Sequence, residues 1–191
     1  LSGAIPFAYI YCKLKGTDIR KVGSGNVGAT NAARLFGKKA FFIIFFLDAL
    51  KGFLPLIIFQ DYIPKEYNKE LITVIFFVSC VCGHIWTIFL NFKGGKGVAV
   101  SVGGLLAVMP KAFLAVFIVF LIIFMISRIV SLGSIFSALT LPFFSWYFYH
   151  SMIYLIFSIL LAVLIIFAHR SNIFRLIKGE EHSFSKKEKE N

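Results

Sequence analysis

Apolar residues fall in long, nearly unbroken runs, separated by short segments rich in Gly, Ser, Asn, Lys and Arg. The runs at 40–59, 71–92, 112–127, 131–149 and 151–168 approach the ~20 residues that a membrane-crossing helix needs. Residues 98–110 form a shorter run, about 20 Å long as a helix, which crosses a bilayer only with help from its flanks. Leu1–Leu14 is apolar but short, and it is expected to be the second half of a spanning helix whose first half precedes Leu1. The pattern therefore predicts an all-α polytopic membrane protein with seven transmembrane helices. Residues 1–182 make one transmembrane domain, and 183–191 (SFSKKEKEN) read as a charged, disordered tail.

Composition agrees with the pattern. Apolar residues make up 59% of the 191, with 24 Phe, and only 15% are charged. A soluble domain of this size cannot bury so much hydrocarbon. That excludes a soluble enzyme, a disordered chain and a nucleic-acid module. The formal net charge is +11, which in a membrane protein reports first on topology, because basic residues accumulate in cytoplasmic connections. Alternate connections carry 16 basic residues against 3, with Lys51 left inside a span. This orients the N-terminus outside, with the segment 13–39 and the C-terminus in the cytoplasm. Cys12, Cys80 and Cys82 form no disulfide or metal framework and read as small core residues.

The connections carry the chemistry. The first, GSGNVGATNAARLFGKK from Gly23 to Lys39, holds four glycines with Ser24, Asn26, Thr30, Asn31 and Arg34. Glycines admit positive φ and close backbone approach, and successive exposed amides make an anion-binding concavity. Arg adds a bidentate fork for phosphate. The plainer reading is a turn before a helix capped by Thr30 or Asn31. The second connection, GHIWTIFLNFKGGKGVAV from Gly83, contains FKGGKG. It lacks the spacing of a nucleotide-triphosphate loop, because Val98 follows Gly97. Its glycine amides ahead of the helix from residue 98 would still face an anion, with Lys93 and Lys96 neutralising it. The alternative is a tight turn with two topology-setting lysines.

The third connection, RIVSLGSI from Arg128 to Ile135, reads equally well as an interfacial turn. The fourth, HRSNIFRLIKGEEHSF from His169, sets His169, Asn172 and Arg175 on one side of an emerging helix, or else forms a basic amphipathic anchor. Asp48 and Lys51, three apart inside a span, share a face and read as a structural ion pair. His84 and His169 are candidate bases near neutral pH. No convincing metal-ligand set occurs.

These segments together resemble the bacterial acyl-phosphate:glycerol-3-phosphate acyltransferases, the PlsY family. GSGNVGATNAAR, GH followed by FLNFKGGKGVA, VSLGSI and HRSNIFRLIKGEEH occur in the family's order, from Ile5-Pro6-Phe7 to His182. The resemblance implies an integral enzyme of the cytoplasmic membrane with seven transmembrane helices. The implied reaction moves a fatty acyl group from acyl phosphate to the 1-hydroxyl of glycerol 3-phosphate. It gives lysophosphatidic acid and phosphate, needs no cofactor, and starts bacterial phospholipid synthesis. Ser24, His84, Lys96, His169 and Asn172 match catalytic positions. Gly23, Asn26, Thr30, Asn31, Arg34, Lys93, Gly94, Gly95, Gly97, Arg170 and Glu181 match substrate-binding ones. The chain departs from common family residues at Trp86-Thr87, Val100 and Ala4. No H-x4-D pair, the mark of acyltransferases that use acyl-CoA, is present. The expected partners are glycerol 3-phosphate, acyl phosphate and membrane lipid. The reading from another class is a small transporter for phosphorylated metabolites, which would place its polar residues near the bilayer midplane rather than at span ends.

Overall fold

The structure is a computed structural model and describes residues 1–181 and Ser183. The expected disordered tail, Ser183 apart, lies outside the described residues, as does His182. Among the described residues every regular element is helical: α1 (Phe7–Leu14), α2 (Ala29–Phe59), α3 (Lys69–Ile85), α4 (Val98–Val108), α5 (Pro110–Ser127), α6 (Val130–Tyr149), α7 (Met152–Ala168) and α8 (Arg170–Ile177), with short 3-10 turns between them. Two compact units divide the chain, Leu1–Pro110 and the part from Lys111 onward.

The stretches around α2, α3, α5 and α6 are long and apolar enough to cross a membrane, and a fifth is α7 taken together with α8. The α7–α8 pair is bent by 61°. Helix α4 is apolar but has only 11 residues, about 16 Å of rise. By length and apolarity alone four helices, or five with the bent pair, qualify as spans among the described residues, a coarser result than the seven expected. The exposed large side chains along these helices, such as Phe42, Phe46, Ile118, Ile122 and Phe143, are what lipid-facing surfaces require.

In the first unit, α2 packs most closely on α4. Two glycines allow this. A Cβ on Gly52 would fall 2.2 Å from the Val100 carbonyl oxygen, and one on Gly103 would fall 1.9 Å from that of Ala49. Close backbone approach of this kind replaces hydrophobic driving force inside a bilayer. Gly37, at φ 78°, interrupts α2 after its first two turns, so that an N-terminal piece is set off from the apolar 38–59 stretch. In the second unit α6 packs on α7, and Gly133 makes room for the Phe120 ring. Caps are local: the Asn68 side chain accepts from the Leu71 amide at 3.0 Å and starts α3, and the Ser151 hydroxyl does the same for α7 from Tyr154 at 3.4 Å.

Candidate active site: glycine loops at helix ends

The first loop is organised by a side chain, Asn31, that sits inside α2 rather than at its cap. Gly28 occupies the cap position, not Thr30 or Asn31, because the Asn31 amide is turned back into the loop. Its Nδ2 donates to the carbonyls of Ile19, Val22 and Asn26 at 3.2, 3.1 and 3.1 Å. Its Oδ1 accepts from the Ser24 amide at 3.0 Å. Asn31 is 1% exposed. Gly23 has φ 58°, and a Cβ there would lie 2.3 Å from Asn31 Oδ1, so only glycine passes this point. Below the loop, Ile19 and Val27 anchor in an apolar cluster with Ala8, Cys12, Ala32 and Leu90. Gly23, Ser24 and Arg34 are exposed, while Asn26 and Thr30 are half-buried. At the loop's entry, Arg20 donates to Asp18 at 2.9 and 2.7 Å. The guanidinium hydrogen bonds hold that carboxyl at about 2.

The second loop folds under α3. The amides of Gly94 and Gly95 donate to the carbonyls of Ile85 and His84 at 3.0 and 3.1 Å, capping the C-terminus of α3. These two amides therefore face inwards, contrary to the expectation that they meet an anion. The N–H groups without helical partners are those in the first turn of α4, after Gly97 at φ 84°. Asn91 and Phe92 both adopt positive φ, 52° and 60°, at the entrance to the loop. Lys93 is exposed, Lys96 half-buried and His84 buried. A Cβ on Gly95 would come within 2.2 Å of His84 Nε2 and 2.7 Å of the Val27 carbonyl oxygen. The second loop thus rests on the first through Val27 and on the His84 ring. Thr87 donates its hydroxyl to the Ala4 carbonyl at 2.6 Å, so two of the positions that depart from the family pattern meet in one contact.

In the second unit the α7–α8 elbow falls at His169, which does not continue a single emerging helix with Asn172 and Arg175. His169 is 3% exposed, and its Nδ1 lies 2.8 Å from the Ile165 carbonyl oxygen. A carbonyl only accepts, so Nδ1 bears the hydrogen. Arg170 is exposed, donating to the Phe167 carbonyl at 3.2 Å. On α8, Asn172 and Arg175 share a face and converge on Glu181. Asn172 Nδ2 donates to Oε1 at 2.6 Å, the Ser131 hydroxyl to the same oxygen at 3.0 Å, and Arg175 Nε to Oε2 at 2.7 Å. Burial alone would raise the Glu181 carboxyl, but these three donors hold it below its ordinary value. Ser131 and Arg175, absent from the residues matched by resemblance, are partners in this cluster. The VSLGSI segment and the three-residue spacing from Asn172 to Arg175 are the signals that pointed to them.

A family model described as glycerol-3-phosphate acyltransferase matches residues 1–179. The chain belongs to the glycerol-3-phosphate acyltransferase family. A curated glycerol-3-phosphate acyltransferase of Aquifex aeolicus is 43% identical over 185 residues, 96% of this chain and 94% of the relative. Two solved structures of PlsY, an integral membrane glycerol 3-phosphate acyltransferase, superpose closely. The glycerol 3-phosphate form has a TM-score of 0.90 at 42% identity, covering 97% of this chain and 91% of that one. The lysophosphatidic acid form has a TM-score of 0.87 at 41% identity, with the same coverage of both chains. Membership makes the chain an acyltransferase of phospholipid synthesis and a multi-pass membrane protein, and it does not favour a transporter. The segments that carry the resemblance are the ones that fold, in this member of the glycerol-3-phosphate acyltransferases, into the glycine loops and the Glu181 cluster.

Proposed function

We propose that the protein transfers a fatty acyl group from acyl phosphate to the 1-hydroxyl of glycerol 3-phosphate, releasing lysophosphatidic acid and inorganic phosphate. The observation that carries this reading is the near-full-length likeness to an acyltransferase solved in its glycerol 3-phosphate form. The site set proposed is the one matched by resemblance, with 1–182 as the acyltransferase domain. It spans the membrane seven times, with the N-terminus outside and both glycine loops and the C-terminus in the cytoplasm.

Roles follow from chemistry. The substrate hydroxyl attacks the acyl carbonyl carbon, the tetrahedral oxyanion collapses, and the carbon–oxygen bond to phosphate breaks. Phosphate is a good leaving group, so the protein supplies position and charge stabilisation. Arg34, Lys93 and Lys96, with the first-turn amides of α4, grip phosphate groups. Gly23, Asn26, Thr30 and Asn31 shape or line the first loop, and Gly94, Gly95 and Gly97 shape the second. Ser24 and Asn172 hold a hydroxyl or the carbonyl, with Glu181 orienting Asn172 and Arg170 adding charge nearby. The hydroxyl proton goes to the phosphate of glycerol 3-phosphate itself, and His84 and His169 act by positioning.

The test is phosphate release by purified protein from acyl phosphate, with and without glycerol 3-phosphate, in the absence of CoA and added metal. Glycerol 3-phosphate-dependent release is expected. Turnover with acyl-CoA and none with acyl phosphate overturns the reading.

A further inference from the structure

Asp48, Lys51 and His84 form a buried polar group in the first unit, of which the proposed chemistry names only His84, and that without saying what it positions. Side-chain exposures are 2% for Asp48, 4% for Lys51 and 8% for His84. Lys51 Nζ lies 2.7 Å from Asp48 Oδ1 and donates to the Ile5 carbonyl at 2.6 Å. The same Asp48 oxygen lies 3.9 Å from His84 Nδ1. The other ring nitrogen of His84 abuts Gly95, and the His84 carbonyl accepts the Gly95 amide. Gly95 is therefore held from both ends of one residue, by its carbonyl and by its ring. With one ring nitrogen toward the ion pair and the other against the loop, neither points outward to a substrate.

A buried ion pair inside an apolar helix is a poor source of stability, since desolvation cancels most of the attraction. It is a good source of geometry. Lys51 fixes the backbone at Ile5, Thr87 fixes it at Ala4, and this clamped segment lines a small hollow together with Asp48, His84, Gly94 and Gly95.

We infer that Asp48, Lys51 and His84 are positioning residues that set the Gly94–Gly97 loop, and that losing them weakens glycerol 3-phosphate binding rather than the acyl-transfer step. The inference rests on the reading above for the identity of the ligand. It is tested with His84→Ala, His84→Gln and Asp48→Asn, varying each substrate and melting each protein with and without glycerol 3-phosphate or inorganic phosphate.

His84→Ala is expected to raise KM for glycerol 3-phosphate about tenfold or more, with kcat and KM for acyl phosphate within about threefold. His84→Gln, whose amide reaches the Nε2 position, should recover most of that loss. The Asp48→Asn/His84→Ala double variant should bind no worse than His84→Ala, because the two act through one contact. A fall of about tenfold or more in kcat for His84→Gln at unchanged KM makes His84 a base and overturns the inference. So does an unchanged KM for glycerol 3-phosphate in His84→Ala. If His84→Ala does not fold, the decision passes to His84→Gln and Asp48→Asn. A tenfold kcat loss in the former, or an unchanged KM for glycerol 3-phosphate in the latter, overturns the inference. Should the wild type release no phosphate from acyl phosphate, the functional reading fails and the melting data decide. Phosphate-induced stabilisation present in the wild type and lost in His84→Ala supports the positioning role, while its retention, or its absence from the wild type, overturns it.

Discussion

Asn31→Asp isolates what the first loop depends on. The substitution keeps the volume and the Oδ1 acceptor that receives the Ser24 amide. It replaces the Nδ2 donor with an oxygen facing the carbonyls of Ile19, Val22 and Asn26. Three hydrogen bonds donated by Asn31 become contacts between oxygens at a position 1% exposed. The lost bonds and the unsatisfied groups together cost about 2–4 kcal/mol, counting the loop's outer carbonyls as rehydrated by water. That cost is local, since Ile19 and Val27 stay anchored in their apolar cluster. It shifts the loop's opening equilibrium by about 30- to 900-fold. Amide hydrogen exchange on detergent-solubilised protein reads this directly. Protection over 19–27 should fall by that factor while α5 to α7 are unchanged. Acyl transfer should fall with it, because Ser24 and the backbone around it lose their place. Unchanged exchange over 19–27 alongside lost activity would refute the reasoning and make Asn31 a direct substrate ligand.

Arg34→Ala and Lys96→Ala should each lower kcat/KM for glycerol 3-phosphate by about a hundredfold, the worth of a charge-assisted phosphate contact. Wild-type kcat/KM in either would mark that residue as a topology signal only. His169→Gln should keep turnover above background if the substrate phosphate is the base. A dead His169→Gln that binds both substrates normally, with a wild type that acylates a glycerol analogue lacking phosphate, would assign the base to His169. Glu181→Gln should lower stability by about 1.5–3 kcal/mol, the range for hydrogen bonds to a charged group, read as a fall in melting temperature near neutral pH. Its carboxyl is held below the ordinary 4.5, so the stabilisation is complete above that value and fades as pH falls through the lower folded value. The wild type and Glu181→Gln should therefore converge in melting temperature once pH falls below the lowered folded value of that carboxyl, and a gap that persists to full protonation would contradict the assignment.

The helices were legible because the bilayer leaves few options. A run such as 131–149 can satisfy its backbone in lipid only as a helix, and the structure places α6 at Val130–Tyr149. Boundaries failed where side chains compete with the periodicity. Residues 71–92 read as one run, yet α3 ends at Ile85, because Gly94 and Gly95 turn back to cap its last carbonyls. Apolarity does not register such a cap, since it depends on glycines nine and ten residues further on. The bend at His169 was invisible for a similar reason: an i, i+3, i+6 pattern is the same on a straight helix and on two pieces meeting at 61°. Glycine-rich segments correctly marked loops, but the sign of each amide did not follow from composition. In the second loop two glycines point inward, and only the geometry of α3 and α4 tells which N–H groups remain.

The membrane also explains why the chemistry gathers at helix ends. A group that binds phosphate needs backbone N–H donors that are not already paired, and within a bilayer such donors exist only in the first turn of a helix or in a loop that leaves the helical ladder. His84 at the end of α3 apart, the candidate residues of the first unit lie in or beside the two loops that lead into α2 and α4. An open loop there would collapse onto its own carbonyls or swing freely unless something else satisfied its inner half. Asn31 does this for the first loop, accepting one amide and donating to three carbonyls. For the second, the end of α3 accepts the amides of Gly94 and Gly95 while the His84 ring fills the space beneath. In the second unit the Glu181 carboxylate gathers Ser131, Asn172 and Arg175 in the same manner. Each buried polar side chain holds the inner side of a candidate segment, so that its outer side can remain polar, exposed and ordered before substrate arrives. Pre-organisation of that kind is what the proposed transfer from an activated acyl donor most needs from the fold.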